Sequence, residues 1–286
     1  MIRGFLDAWP LFGDSWLSLW LIALQLAAVG VFLVVRDRIF VGAAVAQSAT
    51  FGIAVALCLG SEWSADGSFW RGDRFLALVA GAFAVGASLL IARGGGRTAG
   101  RRGAGSEAVA GFVFLAGSSG ALLVIAHSPH GVDDVERLFA ASGLGAAATD
   151  VALFGALAVL TLGLVVWRRR QLLLLALDPV TAAALGVDRR LELLLAAWLG
   201  LLLGQSMRLS GLLYAFGCLV LPGLIARAAC PALLPMVIVA PLVGVAASVG
   251  GALVGQAGDF NQAPATVGLL CVVLAATWGV RALRRR

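Results

Sequence analysis

The sequence contains no lysine, only two histidines and few charged residues of any kind. Charged side chains make up 13% of the 286 residues, whereas a soluble domain carries about 25%. Because so little charge cannot coat a water-facing surface, the composition excludes a soluble globular protein. The absence of lysine also excludes a P-loop, whose G-x-x-x-x-G-K-[ST] motif needs that residue to hold nucleotide phosphates. The glycine-rich stretch 94–105 is therefore not a phosphate-binding loop.

The sequence also lacks the residue patterns of intramembrane serine proteases and of zinc proteases. Both histidines, His127 and His130, lie in one short connecting segment, so neither can pair with a serine inside a membrane helix, and no H-E-x-x-H motif occurs. The four cysteines lack C-x-x-C spacing and are interpreted as small packing residues. We therefore predict no catalytic residue and no cofactor bound by this chain.

Long apolar runs are what the sequence has in abundance. Hydrophobic residues make up 61% of the chain, and the mean hydropathy is +0.99. Crossing the hydrocarbon layer takes about 20 residues of helix, and several runs reach that length. The sequence predicts an all-α integral membrane protein with about nine transmembrane helices, forming a single transmembrane domain over residues 1–286. The predicted spans are 16–35, 39–60, 74–93, 107–126, 150–167, 191–206, 209–228, 234–256 and 264–282.

The distribution of arginine predicts the orientation of these spans. Arginines cluster in alternate connections and in the C-terminal tail, whereas most acidic residues fall in the other connections. Since positively charged loops stay in the cytoplasm, the N-terminus is expected outside and the C-terminus inside. The same rule accounts for the net charge of +6 without a nucleic-acid partner. We expect a multi-pass protein of the cytoplasmic (inner) membrane, surrounded by lipid.

The cytoplasmic stretch 168–190 reads RRRQLLLLALDPVTAAALGVDRR and contains signals for a short helix. Asp178 suits the N-cap position and Pro179 the first helical position. Gly186 suits the residue that ends a helix. The sequence therefore predicts a short cytoplasmic helix over residues 180–185, between two arginine clusters.

This stretch resembles the coupling segment of ABC-type metal-uptake permeases, which carry an F-D-P/E-x-x-A-x-x-x-G-V/L block after a leucine-rich run. Four further blocks are similar to segments of that family in the same order, so the resemblance covers nearly the whole chain. Those blocks are RDRIFVGAAVAQSATFG at 36–52, ERLFAASGLGAAATD at 136–150, LSGLLYAFGCLVLPGLIAR at 209–227 and GDFNQAPATV at 258–267.

The resemblance implies a permease subunit of an ABC importer. Two copies of the chain would form the pathway, a separate cytoplasmic ABC ATPase would bind and hydrolyse ATP, and an extracytoplasmic solute-binding protein would deliver the cargo. The cargo would be zinc, manganese or iron, with zinc preferred. The residues expected to couple the chain to the ATPase are Asp178, Pro179, Ala183, Leu185, Gly186 and Val187.

The second span departs from the family pattern where the metal ligands are expected. The family places an aspartate and a histidine four residues apart on one helix face, which lets both converge on a divalent cation. This chain has Ala43 and Gln47 at those positions. Gln47, Ser48 and Asp259 remain as candidates for the translocation path. His127 and His130 are candidates for a metal-recruiting patch on the outer side.

Two alternatives stay open. The loss of the aspartate and histidine is compatible with the same ABC-permease fold and a non-metal cargo. A secondary drug or metabolite transporter would also be a bundle of membrane helices, but such proteins are built from two related halves. Residues 1–143 and 144–286 show no convincing internal repeat.

Overall fold

The computed structural model describes residues 2–62, 73–94, 104–126, 146–177, 181–182 and 189–284. Within these ranges the secondary structure is helical and no strand occurs. The principal helices are α1 (Ile2–Val35), α2 (Ile39–Glu62), α3 (Asp73–Gly94), α4 (Ala104–Ile125), α5 (Ala148–Trp167), α6 (Arg169–Leu177), α7 (Arg189–Ala229), α8 (Leu233–Gly258) and α9 (Gln262–Arg284).

Eight of these helices are long and apolar enough to cross a membrane, which confirms the all-α membrane protein that the sequence predicts. The predicted spans 191–206 and 209–228 both fall in α7, so the eight helices contain the nine predicted spans. Helix α7 has 41 residues and at about 1.5 Å per residue is twice as long as the hydrocarbon core is thick. It is interrupted at Gly211, whose φ of 70° and ψ of 173° are not helical. Glycine adopts a positive φ without steric cost. The helical conformation is therefore interrupted at this one residue, which separates α7 into two halves.

Helix α6 was expected only as a leucine-rich run and proves to be a separate helix. Arg168 alone divides it from α5. The Arg168 guanidinium lies 4.7 Å from the centre of the Trp167 ring, and its Nη1 donates to Gln171 Oε1 at 2.8 Å. The arginine thus contacts both helices at the point where the chain changes direction.

The chain forms two compact units, and each is assembled from segments that are distant in sequence. The first unit comprises Met1–Arg38, Ser142–Val187 and Leu213–Arg286, and the second comprises Ile39–Ala141 and Asp188–Leu212. The boundary between 212 and 213 falls beside Gly211, so the two halves of α7 belong to different units.

In the first unit, the second half of α7 runs parallel to α1. Tyr214 contacts Leu19, and Arg227 contacts Val34, so residue numbers increase together along the two helices. The packing is close: a Cβ atom on Gly223 would lie 2.9 Å from a methyl carbon of Val34. Helix α8 also packs along α1 and along α9.

In the second unit, α2 packs against both α3 and α4, and the first half of α7 runs antiparallel to α3. A Cβ atom on Gly204 would lie 2.6 Å from the Cα of Gly81, and one on Gly200 would lie 2.6 Å from the carbonyl oxygen of Ala84. The Gln205 amide donates to the Ala77 carbonyl at 3.0 Å. Such close contact between helices through small residues is typical of membrane proteins.

Large apolar side chains cover the outward faces of several helices. Val166, Ile238 and Val272 are between 60% and 67% exposed. So many exposed large apolar side chains are unfavourable in water and suit contact with lipid tails. Trp9, Trp16 and Trp20 form a cluster near the start of α1, as expected for tryptophan at a membrane interface.

Candidate functional site

Gln47, the first predicted translocation residue on α2, is half-buried and close to α4. Ala43 and Gln47 are four residues apart on one face of the helix, and both are partly accessible. A Cβ atom on Gly117 of α4 would lie 2.9 Å from the carbonyl carbon and oxygen of Gln47, so the two backbones are in contact there. The only polar group that this pair of side chains offers is the neutral Gln47 amide.

Ser48, the next candidate, is committed to helix packing. Its side chain is 8% exposed, and its hydroxyl donates to the carbonyl oxygen of Phe83 on α3 at 3.1 Å. Ser48 therefore links α2 to α3. A role for Ser48 in the path stays a prediction.

Asp259 lies at the rim of a cavity of about 260 Å³ at one end of the first unit. The cavity lies between the N-terminal part of α1, the end of α8 and the connection to α9. Its lining combines aromatic rings, amide groups and one carboxylate. The lining residues are Phe12, Ser15, Trp16, Ala252, Gly255, Gln256, Asp259, Phe260, Asn261 and Gln262.

The backbone of Asp259 has an unusual conformation. Asp259 is the residue that ends α8, its φ is 52° and its ψ is 34°, and its N–H donates to the Gly255 carbonyl. The N–H of Phe260 donates to the same carbonyl at 3.0 Å. A left-handed φ favours glycine at this position, and a helix C-terminus is the negative end of the helix dipole. A carboxylate there increases the negative potential at the cavity rim.

A buried hydrogen-bonded network lies beneath this cavity. The Tyr214 hydroxyl is 2.8 Å from the Leu19 carbonyl oxygen and 2.5 Å from the Ser248 hydroxyl. Gln262, which lines the cavity, donates from Nε2 to the Ser248 carbonyl at 3.2 Å. The network joins α1, α7, α8 and α9. The sequence prediction missed it, although a tyrosine within an apolar span is a polar group that needs a partner.

The opposite end of the first unit carries an ion pair between α7 and the turn after α1. Arg227 Nη1 lies 2.5 Å from Asp37 Oδ1 and 2.9 Å from the Val34 carbonyl oxygen. Arg281 Nη1 donates to the Arg227 carbonyl at 3.4 Å. The arginines therefore lie at the C-terminal end of α1 and Asp259 at its N-terminal end, as the predicted orientation requires. The side of the membrane that each end faces stays a prediction.

Helix α6 is anchored at this same end of the first unit. Ala176 packs in a cluster with Val31 of α1, Ala226 of α7 and Met236 of α8. Leu172 and Leu175 are also buried. The helix that precedes the predicted coupling segment is thus held against three membrane helices.

Two residues of the segment 178–187 belong to the described part of the chain. Thr181 and Ala182 are helical, and the rest of the short helix predicted over 180–185 lies outside the described residues. The remaining predicted sites lie outside the described residues. They are Asp178, Pro179, Ala183, Leu185, Gly186, Val187, His127 and His130.

A preformed metal centre is not found in the described parts of the chain. No group of three or more histidine, cysteine, aspartate or glutamate side chains comes together there in a way that could hold a metal ion. Gln47 and Asp259 belong to the second and the first unit respectively.

Comparison with known families identifies the family of this chain. A profile of the ABC 3 transport family matches residues 10–280. The chain belongs to the ABC 3 transport family. It is therefore a membrane-spanning permease subunit of an ABC transporter, and membership favours this function over that of a secondary transporter.

Two solved structures have the fold of this family member. One is PsaBC from Streptococcus pneumoniae in complex with Fab, with a TM-score of 0.78 and 20% identity, covering 97% of this chain and 95% of that chain. The other is a metal-chelate type ABC transporter in an inward-facing conformation, with a TM-score of 0.68 and 19% identity, covering 95% of this chain and 85% of the other. No relative is found among curated proteins.

Proposed function

We propose that this ABC 3 permease imports a divalent metal ion, with zinc preferred over manganese and iron, across the cytoplasmic membrane. The observation that carries the proposal is the family match over residues 10–280. It is supported by the resemblance of five sequence blocks to metal-uptake permeases.

The proposed assembly contains two copies of this chain, two cytoplasmic ABC ATPase subunits and an extracytoplasmic solute-binding protein. ATP is bound by the ATPase, because this chain has no lysine and hence no P-loop. The segment 178–187 docks on the ATPase. The contact of α6 with α1, α7 and α8 supports transmission of movement from that segment into the first unit.

A second candidate is the same permease with a cargo other than a free metal ion. Ala43 and Gln47 favour it, since α2 offers no carboxylate or imidazole at the positions where the family has both. A bare divalent ion that crosses without an anionic ligand meets a large desolvation penalty. A cargo already held by a chelating molecule would not meet that penalty.

Gentle purification of the tagged chain, with mass spectrometry of the proteins that accompany it, tests the assembly. Recovery of a P-loop ATPase and of a solute-binding protein is expected. A chain that comes out alone, under conditions that preserve a known ABC complex, would contradict the proposal. A Gly186→Trp variant that inserts normally should lose transport if segment 178–187 couples the chain to the ATPase.

The cargo is then tested with the reconstituted complex. If the cargo is a divalent metal ion, ATP hydrolysis increases with the metal-loaded binding protein and not with its metal-free form. Equal rates with both forms would favour the second candidate.

A further inference from the structure

The cavity at Asp259 has the composition of a site for an organic cation. Aromatic rings of Phe12, Trp16 and Phe260 line it together with a single carboxylate. Guanidinium and ammonium groups bind to the faces of aromatic rings and pair with carboxylates. An open cavity of about 260 Å³ accommodates the end of one arginine or lysine side chain.

A bare divalent metal ion fits this cavity less well. Zinc sites use three or four nitrogen, sulfur or carboxylate ligands, and the described lining offers one carboxylate with no histidine or cysteine. The other oxygen donors are neutral amides and the hydroxyl of Ser15. One charge surrounded by rings favours a singly charged, partly apolar cation.

The conformation of Asp259 supports a binding role. A left-handed backbone conformation costs a residue other than glycine about 1 kcal/mol, and the carboxylate also lies at the negative end of α8. Asparagine at this position would remove the electrostatic cost, and glycine would remove both costs. A bound cation offsets the electrostatic cost, because it is attracted by the carboxylate and by the helix C-terminus together.

The floor of the cavity is fixed in advance. Gln262 is 8% exposed, and its amide nitrogen is held by Ser248, which in turn bonds Tyr214. A side chain held in this way does not have to be ordered when a ligand binds, and preorganisation of this kind strengthens binding.

The surroundings point to a protein rather than a small molecule as the source of the cation. Phe260 is 68% exposed beside the cavity, and exposed aromatic residues are common at protein interfaces. The connections predicted on the outer side carry most of the acidic residues of the chain. A basic partner surface complements both features.

We propose that this cavity receives an arginine or lysine side chain of the extracytoplasmic solute-binding protein, which pairs with Asp259 when that protein docks. The inference rests on the proposed function, because it requires such a partner. It assigns Asp259 to docking, not to the translocation path.

The test uses the complete transporter in lipid nanodiscs and the solute-binding protein that co-purifies with it. ATP hydrolysis is measured against the concentration of that protein for the wild type, Asp259→Asn and Asp259→Gly. Both replacements are compatible with a left-handed backbone, so both are expected to fold. We expect the half-saturating concentration to increase about tenfold in each, which corresponds to 1.4 kcal/mol. Asp14→Asn is the matched control, since Asp14 is an exposed acid at the same end of α1 but not in the lining, and it should shift the value less than twofold.

A charge reversal identifies the partner residue. Asp259→Arg should prevent docking, and one Arg→Glu or Lys→Glu change on the binding protein should restore it. Arginine amide should weaken wild-type docking more than sodium chloride does at equal ionic strength.

The outcomes separate this inference from the proposed function. A wild-type transporter that binds no solute-binding protein overturns both. An unchanged half-saturating concentration in Asp259→Asn overturns the docking site alone. A lower maximal rate at an unchanged half-saturating concentration also overturns the docking site and assigns Asp259 to the translocation path. Zinc binding by the transporter alone, if it depends on Asp259, overturns the docking site by assigning the cavity to a metal ion.

Discussion

Arg227 Nη1 lies 2.5 Å from Asp37 Oδ1, although the two residues are 190 positions apart in the chain. The pair connects the end of α7 to the turn that follows α1. Both side chains are largely accessible, at 46% and 73%, so solvent screens their attraction. Arg227 also donates to the Val34 carbonyl, and this second bond does not depend on the carboxylate.

This geometry predicts unequal effects of the two partners on stability. Asp37→Asn should lower the free energy of unfolding by about 0.5 kcal/mol, as for an exposed ion pair. Arg227→Gln should cost more, because it also removes the bond to Val34. A denaturant titration of both single variants and the double variant measures the coupling, which should stay under about 1 kcal/mol. Strictly additive effects would show that the ion pair contributes nothing.

The anchoring of α6 predicts a large difference between two leucines of that helix. Leu172 is 2% exposed and Leu177 is 68% exposed. Leu172→Ala creates a cavity and should lower the free energy of unfolding by about 3 kcal/mol, whereas Leu177→Ala should change it little. Thermal unfolding in detergent, followed by tryptophan fluorescence, compares them. Similar melting temperatures would mean that α6 is not held against the bundle.

Glycine packing in the second unit predicts a strict size limit at Gly204. A Cβ atom there would lie 2.6 Å from the Cα of Gly81, which is backbone and cannot rotate away. Gly204→Ala should therefore cost about 1–3 kcal/mol. Gly86→Ala is the control, because its Cβ atom would meet nothing within 4 Å and alanine favours the helix. The yield of monodisperse protein after size exclusion measures both, and a normal yield of Gly204→Ala would contradict the packing.

The missing ligand pair on α2 can be restored. Ala43 and Gln47 share one face and are partly accessible, so an Ala43→Asp, Gln47→His double variant should acquire a divalent metal site. Zinc should then raise the melting temperature of the double variant by several degrees, because a ligand that binds only the folded state stabilises it, and a chelator should reverse the shift. Each single variant is the control and should respond weakly. If zinc stabilises the wild type as strongly as the double variant, zinc binds at a site other than positions 43 and 47, which would contradict the prediction.

Hydropathy predicted most of the fold because each membrane helix is a local property of about 20 residues. The spans at 39–60 and 74–93 match α2 and α3 within a few residues. The boundary predicted between the spans 191–206 and 209–228 lies within a few residues of the break at Gly211. That Gly211 itself takes the non-helical conformation was not predictable, since it resembles any other glycine in the sequence. The same limit applies to side-chain partners. Asp37 and Arg227, or Tyr214 and Ser248, meet only after the helices pack, and a single sequence carries no signal of those contacts.

The candidate site was predicted in part. Asp259 was identified from its position before the last helix. The aromatic residues that surround it were not, because Phe12 and Trp16 are more than 240 residues away in the chain and look like ordinary interfacial anchors. Gln47 was found only through the family pattern that it breaks. Ser48 was predicted together with Gln47. The hydrogen bond from Ser48 to Phe83 was not predicted, because Phe83 lies on a neighbouring helix.

Tyr214 is the only tyrosine in the chain, and it is fully buried with its hydroxyl bonded to two other helices. Fluorinated tyrosine supplied during expression would therefore label one known interior position without any substitution. The single fluorine label of this chain, assembled with unlabelled ATPase and binding protein, would report how α1, α7 and α8 rearrange as nucleotide and cargo are added.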